Sequence, residues 1–209
     1  MGITTESIQR QIYEVIRLEI LNQDYKQGEL IPTKNIAKQY GISVMPVRNA
    51  LQELTDMGLV VKKERVGYFV KKFDEKEIKE IQSVRSMYEL YCLQNYFHRL
   101  DKKRIREIME RSRVAPFEEA LHLDVELHSL LINASNNDFL IRQYARVRDF
   151  FWLFMYVDKK AEINSMDLTL REHELLVDSI FAGNKAKALI NLEMHLKRAT
   201  EDAVGILSR

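Results

Sequence analysis

The feature that most constrains this chain is a change of pattern at residue 73. Before it, short helical stripes are broken by Gly, Pro and two β-prone runs. After it, strand signals are absent and apolar residues recur at helical spacing through six segments: Glu75 to Leu100, Lys102 to Arg113, Phe117 to Ala134, Asp138 to Asp158, Met166 to Ala182 and Lys185 to Leu207. The breaks fall at Asp101, Pro116, the Ser-Asn-Asn stretch at 135–137 and Gly183. Six helices joined by connections of a few residues form an antiparallel bundle, and bundles build sites from side chains that project inward from several helices.

The first third reads differently. From Glu6 to Leu21 the residues Ile8, Ile12, Val15, Ile16 and Ile20 form one helical stripe. Residues 24–31 break it as a loop or short strand. A short helix then starts near Thr33, a candidate N-cap, and stops at Gly41, which accepts a left-handed turn. A third helix opens at once, with Ser43 as its cap and Pro46 in the first turn, and buries Val47, Ala50, Leu51 and Leu54. Leu59-Val60-Val61 and Tyr68-Phe69-Val70 then read as a hairpin whose turn ends in Gly67. Three helices and a hairpin make a winged helix-turn-helix. The expected fold is therefore mainly α, with a winged helix-turn-helix over residues 1–73 and a six-helix bundle over 74–209.

Composition narrows the class. With 46% hydrophobic and 30% charged residues, disorder is excluded, and seven Gly and three Pro exclude collagen-like and linker-rich chains. The longest apolar run, Phe150 to Val157, is far short of the ~20 residues a membrane span needs. The N-terminus has no signal-peptide pattern, and Glu6 breaks the myristoylation pattern, so a cytoplasmic location without membrane contact is expected. Cys92, alone and in an apolar helical stretch, is expected in the core. The net charge of +1 divides into +3 over residues 1–72 and −2 over the rest. Lys62, Lys63, Arg65, Lys71 and Lys72 face a single acid, Glu64, where a wing would meet phosphates.

The residues Gly28, Ile36-Ala37, Ser43, Pro46-Val47-Arg48, Ala50-Leu51, Leu54, Gly58-Leu59-Val60 and Gly67 occur in an order and spacing that resembles the N-terminal domain of GntR-type bacterial transcription regulators. The resemblance implies binding to double-stranded DNA through Lys34, Ser43, Val44, Met45, Arg48, Lys62, Lys63, Arg65 and Gly67. Val44 and Met45 stand where that family usually has Arg and Thr, which points to a different operator.

In the bundle, Asp124 and His128 are four residues apart on one helix and share a face, whereas His122 lies about 200° around from Asp124. His173 and His195 lie about half-way along the last two helices, so an antiparallel pair turning at Gly183 brings them level. One carboxylate and three imidazoles suit a divalent transition metal: zinc first, with nickel, manganese and iron also fitting. Glu126, Glu172 and Glu174 are expected to point away from that site.

Residues 75–209 also resemble the FCD effector domain of the FadR subfamily of the same regulators, in its shorter VanR-like form. Its metal-binding members carry Asp-x-x-x-His, then His before an Ala-Gly-Asp-like break, then His in the final helix. Here these are Asp124 and His128, His173 before Ala182-Gly183-Asn184, and His195. Arg85 occupies the place of a family arginine that can pair with a ligand carboxylate. The resemblance implies a homodimeric regulator, most often a repressor, that reads an inverted-repeat operator and responds to a small carboxylate effector. Two alternatives stay open: the metal is itself the signal or purely structural, or the site is that of a metal-dependent enzyme. The aromatic stretch Phe150, Phe151, Trp152, Phe154 and Tyr156 reads as bundle core or dimer surface.

Overall fold

A computed structural model describes residues 8–155 and 162–207 of the chain. Its contacts divide after Phe73 into two compact units, Met1–Phe73 and Asp74–Arg209. The fold is mainly helical, with one small antiparallel sheet in the first unit.

In the first unit, α1 (Ile8–Leu21) lays Ile12, Ile16 and Ile20 on α3 (Val44–Asp56), whose Val47, Ala50, Leu51 and Leu54 are fully buried. Strand β1 (Leu30–Ile31) follows α1, and α2 (Thr33–Gln39) packs on α3. Strands β2 (Val60–Lys63) and β3 (Gly67–Val70) form the hairpin, with Val61 opposite Phe69 and Lys63 opposite Gly67. β1 adds to the other edge of β3, Leu30 opposite Phe69, so the sheet order is β1-β3-β2. Gly67 sits at φ +147°, and a Cβ there would come within 3.0 Å of Leu30 Cδ1, so glycine is required both for the turn and for the strand beside it. Gly41, at φ +63°, makes the left-handed turn between α2 and α3.

The helix starts differ in detail from expectation. Thr33 is the first residue of α2 and not its cap; Pro32 holds the cap position, where a missing N–H costs little. Ser43 does precede α3 in an extended conformation, but its hydroxyl makes no capping hydrogen bond. The expected start of the first helix at Glu6, the side chain of Tyr156 and the end of a helix at Asp158 lie outside the described residues.

The second unit has six α-helices among the described residues: α4 (Glu75–Tyr96), α5 (Lys102–Ser112), α6 (Phe117–Asn133), α7 (Asp138–Met155), α8 (Glu162–Phe181) and α9 (Lys185–Leu207). A capping box starts α4. The Asp74 carboxylate accepts from Glu77 N at 2.8 Å, and the Glu77 carboxylate accepts from Asp74 N at 3.3 Å. Asp101 and Asn184 cap α5 and α9 through Arg104 N and Lys187 N, each at 3.0 Å. The first bundle helix stops at Tyr96, short of the expected Leu100, and ends in a 3-10 turn, Phe97–Arg99. α8 begins at Glu162, four residues before the expected start.

Helix α4 is central, packed on α6, α7 and α9, while α8 lies along α9. The core is Leu93, Leu123, Leu127, Leu131, Leu176, Ile180, Leu192 and Leu196, with Ile105 and Ile108 of α5. Cys92 is fully buried. Among the described residues, no helix is long and apolar enough to cross a membrane.

Candidate metal centre and nucleic-acid face

Helix α6 places Asp124 and His128 one turn apart on its buried face, α8 supplies His173 and α9 supplies His195. All four are at most 6% exposed. The three imidazole Nε2 atoms converge: His128 to His173 at 3.2 Å, His128 to His195 at 3.2 Å and His173 to His195 at 3.4 Å. Asp124 Oδ1 lies 3.4 Å from His173 Nε2. Nitrogens held at about 2.1 Å by one ion lie roughly 3.0 Å apart at right angles and roughly 3.4 Å apart at the tetrahedral angle. The observed triangle falls inside that window, so the four side chains could hold one metal ion.

The surroundings fix which nitrogens face inward. Glu89 of α4 takes His128 Nδ1 on Oε2 at 2.6 Å, and Glu172 takes His195 Nδ1 on Oε2 at 2.8 Å. Burial acts to raise the Glu89 carboxyl, but the Arg85 guanidinium and His128 outweigh it and hold it well below the usual carboxylate range. Burial likewise opposes ionisation of Glu172, and its hydrogen bonds from His195 and Arg198 overcome it. Ionised carboxylates only accept, so each Nδ1 carries the proton and each Nε2 keeps its lone pair for the centre. Burial first, then the neighbouring imidazoles and Arg85, pushes His173 well below the ordinary histidine value; burial also lowers His195 against the pull of Glu172. His128 and His195 therefore turn their Nε2 lone pairs toward the centre, beside a His173 ring that burial keeps neutral, an arrangement that suits a cation.

Asp124 is the clearest mark of an unmet requirement. Both its oxygens are buried and have no hydrogen-bond partner among the described residues, a condition that costs free energy unless a ligand supplies the missing partner. Arg85 shows the same trait. It is fully buried, stacks 3.4 Å over the Phe151 ring and gives Nε to Glu89 Oε1 at 2.7 Å, while NH1 and NH2 have no partner among the described residues. Tyr144 completes this side by donating its hydroxyl to Glu89 Oε1 at 2.6 Å.

His122 is exposed and stacks on Trp152, with ring centroids 4.5 Å apart, away from the cluster. Glu126 pairs with Arg104 at 2.5 Å and Glu174 with Arg113 at 2.9 Å. Glu172 corrects the expectation that it points away: it braces His195 from behind and is gripped by Arg198 through Nε at 2.6 Å and NH2 at 2.8 Å. Glu89 and Tyr144 were not expected at all. The α4 stripe Ile78, Gln82, Arg85, Glu89, Cys92 and Leu93 holds the signal, because three polar residues occupy core positions of an otherwise apolar face.

In the first unit, Lys34, Ser43, Met45 and Arg48 are exposed and Val44 is half-buried, all clear of the face by which α3 packs on α1. Met45 is 63% exposed, unusual for a large apolar side chain at a helix start. On the hairpin, Lys62, Lys63 and Arg65 are exposed; Lys62 pairs with Glu64 at 3.1 Å and Lys63 lies 4.5 Å above the Phe69 ring. Arg65 adopts φ +61° at the tip, two residues before Gly67.

Comparison with known proteins places this geometry. Residues 8–70 match the family model described as bacterial regulatory proteins, gntR family, and residues 80–198 match that of the FCD domain. The gluconate operon transcriptional repressor of Bacillus subtilis is 28% identical over 201 residues, covering 89% of this chain and 79% of that protein. A GntR-type regulator from Rhodococcus sp. RHA1 superposes with a TM-score of 0.84 at 21% identity over 96% of this chain and 99% of its own. The FCD domain of TM0439 is 30% identical in its metal-free structure, with a TM-score of 0.58 over 66% of this chain and 98% of that one. Its Zn2+-bound structure is 29% identical, with a TM-score of 0.56 over 65% and 97%.

Proposed function

The chain belongs to the GntR family of bacterial regulatory proteins and carries an FCD domain, and from that premise we propose that it is a metal-dependent repressor whose operator affinity is set by a small organic acid bound in the helical bundle. Asp124, His128, His173 and His195 hold one divalent metal, with zinc the first candidate because three imidazoles and a carboxylate suit it and because the related FCD domain of TM0439 is described with Zn2+. When bound, the metal supplies a Lewis-acidic centre with positions left for an anionic ligand. Arg85 offers NH1 and NH2 to the same ligand's carboxylate.

The observation that carries this reading is the pairing of two unmet needs in one buried region: a carboxylate with no hydrogen-bond donor and a guanidinium with two unused nitrogens. With neutral imidazoles, Asp124, Glu89, Glu172, Arg85 and Arg198 leave the region at net −1. A divalent ion turns that to +1, which one carboxylate neutralises. Glu126 is engaged with Arg104, Glu174 with Arg113, Glu172 with His195 and Arg198, and Glu89 with Arg85, Tyr144 and His128, so none of these four is placed as a general base. A regulator, and not an enzyme, fits these commitments.

The first unit binds DNA with the start of α3 in the major groove and the β2–β3 hairpin along the backbone, two copies in a homodimer reading an inverted repeat. Four residues separate the end of β3 from the start of α4, which carries Arg85, so one continuous helix runs from the connector to the ligand site. A ligand that prefers one setting of α4 shifts operator affinity by that preference, and the effect is reciprocal. Operator titrations with zinc-loaded and chelated protein, each with and without a panel of mono-, di- and hydroxycarboxylates, test the reading. Release from DNA only with metal and acid together is expected. Release by metal alone makes the metal the signal, and insensitivity to both refutes the proposal.

A further inference from the structure

The metal ligands and Arg85 lie on different helices, yet one side chain touches both sides. The Glu89 carboxylate is fully buried and divides its oxygens: Oε1 accepts from Arg85 Nε at 2.7 Å and Tyr144 Oη at 2.6 Å, and Oε2 accepts from His128 Nδ1 at 2.6 Å. Resting on the metal and carboxylate reading above, we infer that Glu89 is the positioning residue that ties metal occupancy to organic-acid recognition. It does so by fixing the His128 tautomer and the presentation of Arg85 through one carboxylate.

Each half follows from hydrogen-bond chemistry. With Nδ1–H given to Glu89, His128 keeps the Nε2 lone pair turned toward His173 and His195, the form a metal requires. With Nε given to Glu89 and the plane stacked on Phe151, the Arg85 guanidinium cannot offer its Nε side to a ligand. Only the end-on fork of NH1 and NH2 remains, so a bound carboxylate is accepted end-on in two parallel bonds. A neutral amide cannot serve both halves. If its oxygen accepts from Arg85, its N–H2 faces His128 Nδ1 and drives the ring proton to Nε2. If it is reversed, two donors confront each other at Arg85.

The test combines Glu89→Gln and Tyr144→Phe in the full-length protein, with zinc affinity read by competition with a chromophoric chelator and acid binding read by thermal shift with a carboxylate panel. Glu89→Gln is expected to weaken zinc binding about 10- to 100-fold and to lose the carboxylate-dependent shift. Tyr144→Phe, which leaves the bonds to Arg85 and His128 in place, is expected to change zinc affinity less than about threefold. A folded Glu89→Gln protein with wild-type zinc affinity overturns the inference. If that variant does not fold, 15N NMR of the metal-free wild type decides: a His128 proton on Nδ1 with Nε2 bare is expected, and a proton on Nε2 overturns the proposal. A wild type that takes up no zinc, while His128 still shows Nδ1–H, brings down the metal reading and not the positioning by Glu89.

Discussion

Asp124→Asn should make the metal-free protein more stable while depriving it of its metal. The carboxylate is 6% exposed, and neither oxygen has a hydrogen-bond partner among the described residues. Its nearest cluster neighbour, His173 Nε2, lies 3.4 Å away and makes no hydrogen bond to it. An unsatisfied buried polar group costs about 1–3 kcal/mol. The amide has nearly the same volume, removes the charge and can donate to His173 Nε2, so most of that cost is recovered. At roughly 2–4 °C per kcal/mol for a chain of this size, the melting temperature in chelator should rise by several degrees. In excess zinc the variant should gain far less than the wild type. At a thousand times Kd a ligand stabilises by about 4.1 kcal/mol. A variant that loses a hundredfold in affinity forfeits about 2.7 kcal/mol of that gain. Thermal melts of both proteins in chelator and in zinc give the four values needed. If Asp124→Asn lowers the melting temperature in chelator, or keeps the full zinc-induced rise, the account of Asp124 as an unpaired ligand is wrong.

On the DNA side, Arg48→Ala should weaken operator binding by about 1–3 kcal/mol, and Lys63→Ala should weaken all sequences alike and lower the salt slope by about one, both read by mobility shift across a salt series. For pH, burial lowers His173 and His195 in the folded protein, so the unfolded chain binds more protons below its own histidine value. Stability of the metal-free protein is therefore complete above about pH 6.5 and falls with pH below it, with a slope of up to about 1.4 kcal/mol per pH unit for each proton, measured by chemical denaturation. A flat profile from pH 7 to 5 contradicts the neutral cluster. His122→Ala, at an exposed site stacked on Trp152, should leave zinc affinity unchanged in a chelator competition.

Much of this architecture is legible in the residues alone because helices announce their buried faces and their ends. Ile12, Ile16 and Ile20, or Val47, Ala50, Leu51 and Leu54, repeat at helical spacing and lie in the core. Gly183 at φ +70° and Asn184 mark the turn that sets His173 level with His195. The ligand set is legible because four-residue spacing puts Asp124 and His128 on one face. What periodicity hides is a polar residue in a core position. Arg85 and Glu89 look like an ordinary i, i+4 surface pair, and only the packing of α4 on α6, α7 and α9 shows that both are dry. Glu172 is hidden for a different reason. It lies about 100° around α8 from His173, so sequence places it off the site, yet the neighbouring helix brings His195 and Arg198 to it.

The central claim, that Asp124, His128, His173 and His195 bind one divalent metal within the bundle, is tested most directly by elemental analysis. The wild type and His195→Ala should be purified without chelator and quantified by mass spectrometry for zinc, nickel, manganese and iron. The account predicts one metal ion per wild-type chain and a content near zero in the variant. Equal metal content in the two proteins, or none in a wild type dialysed against zinc, contradicts it.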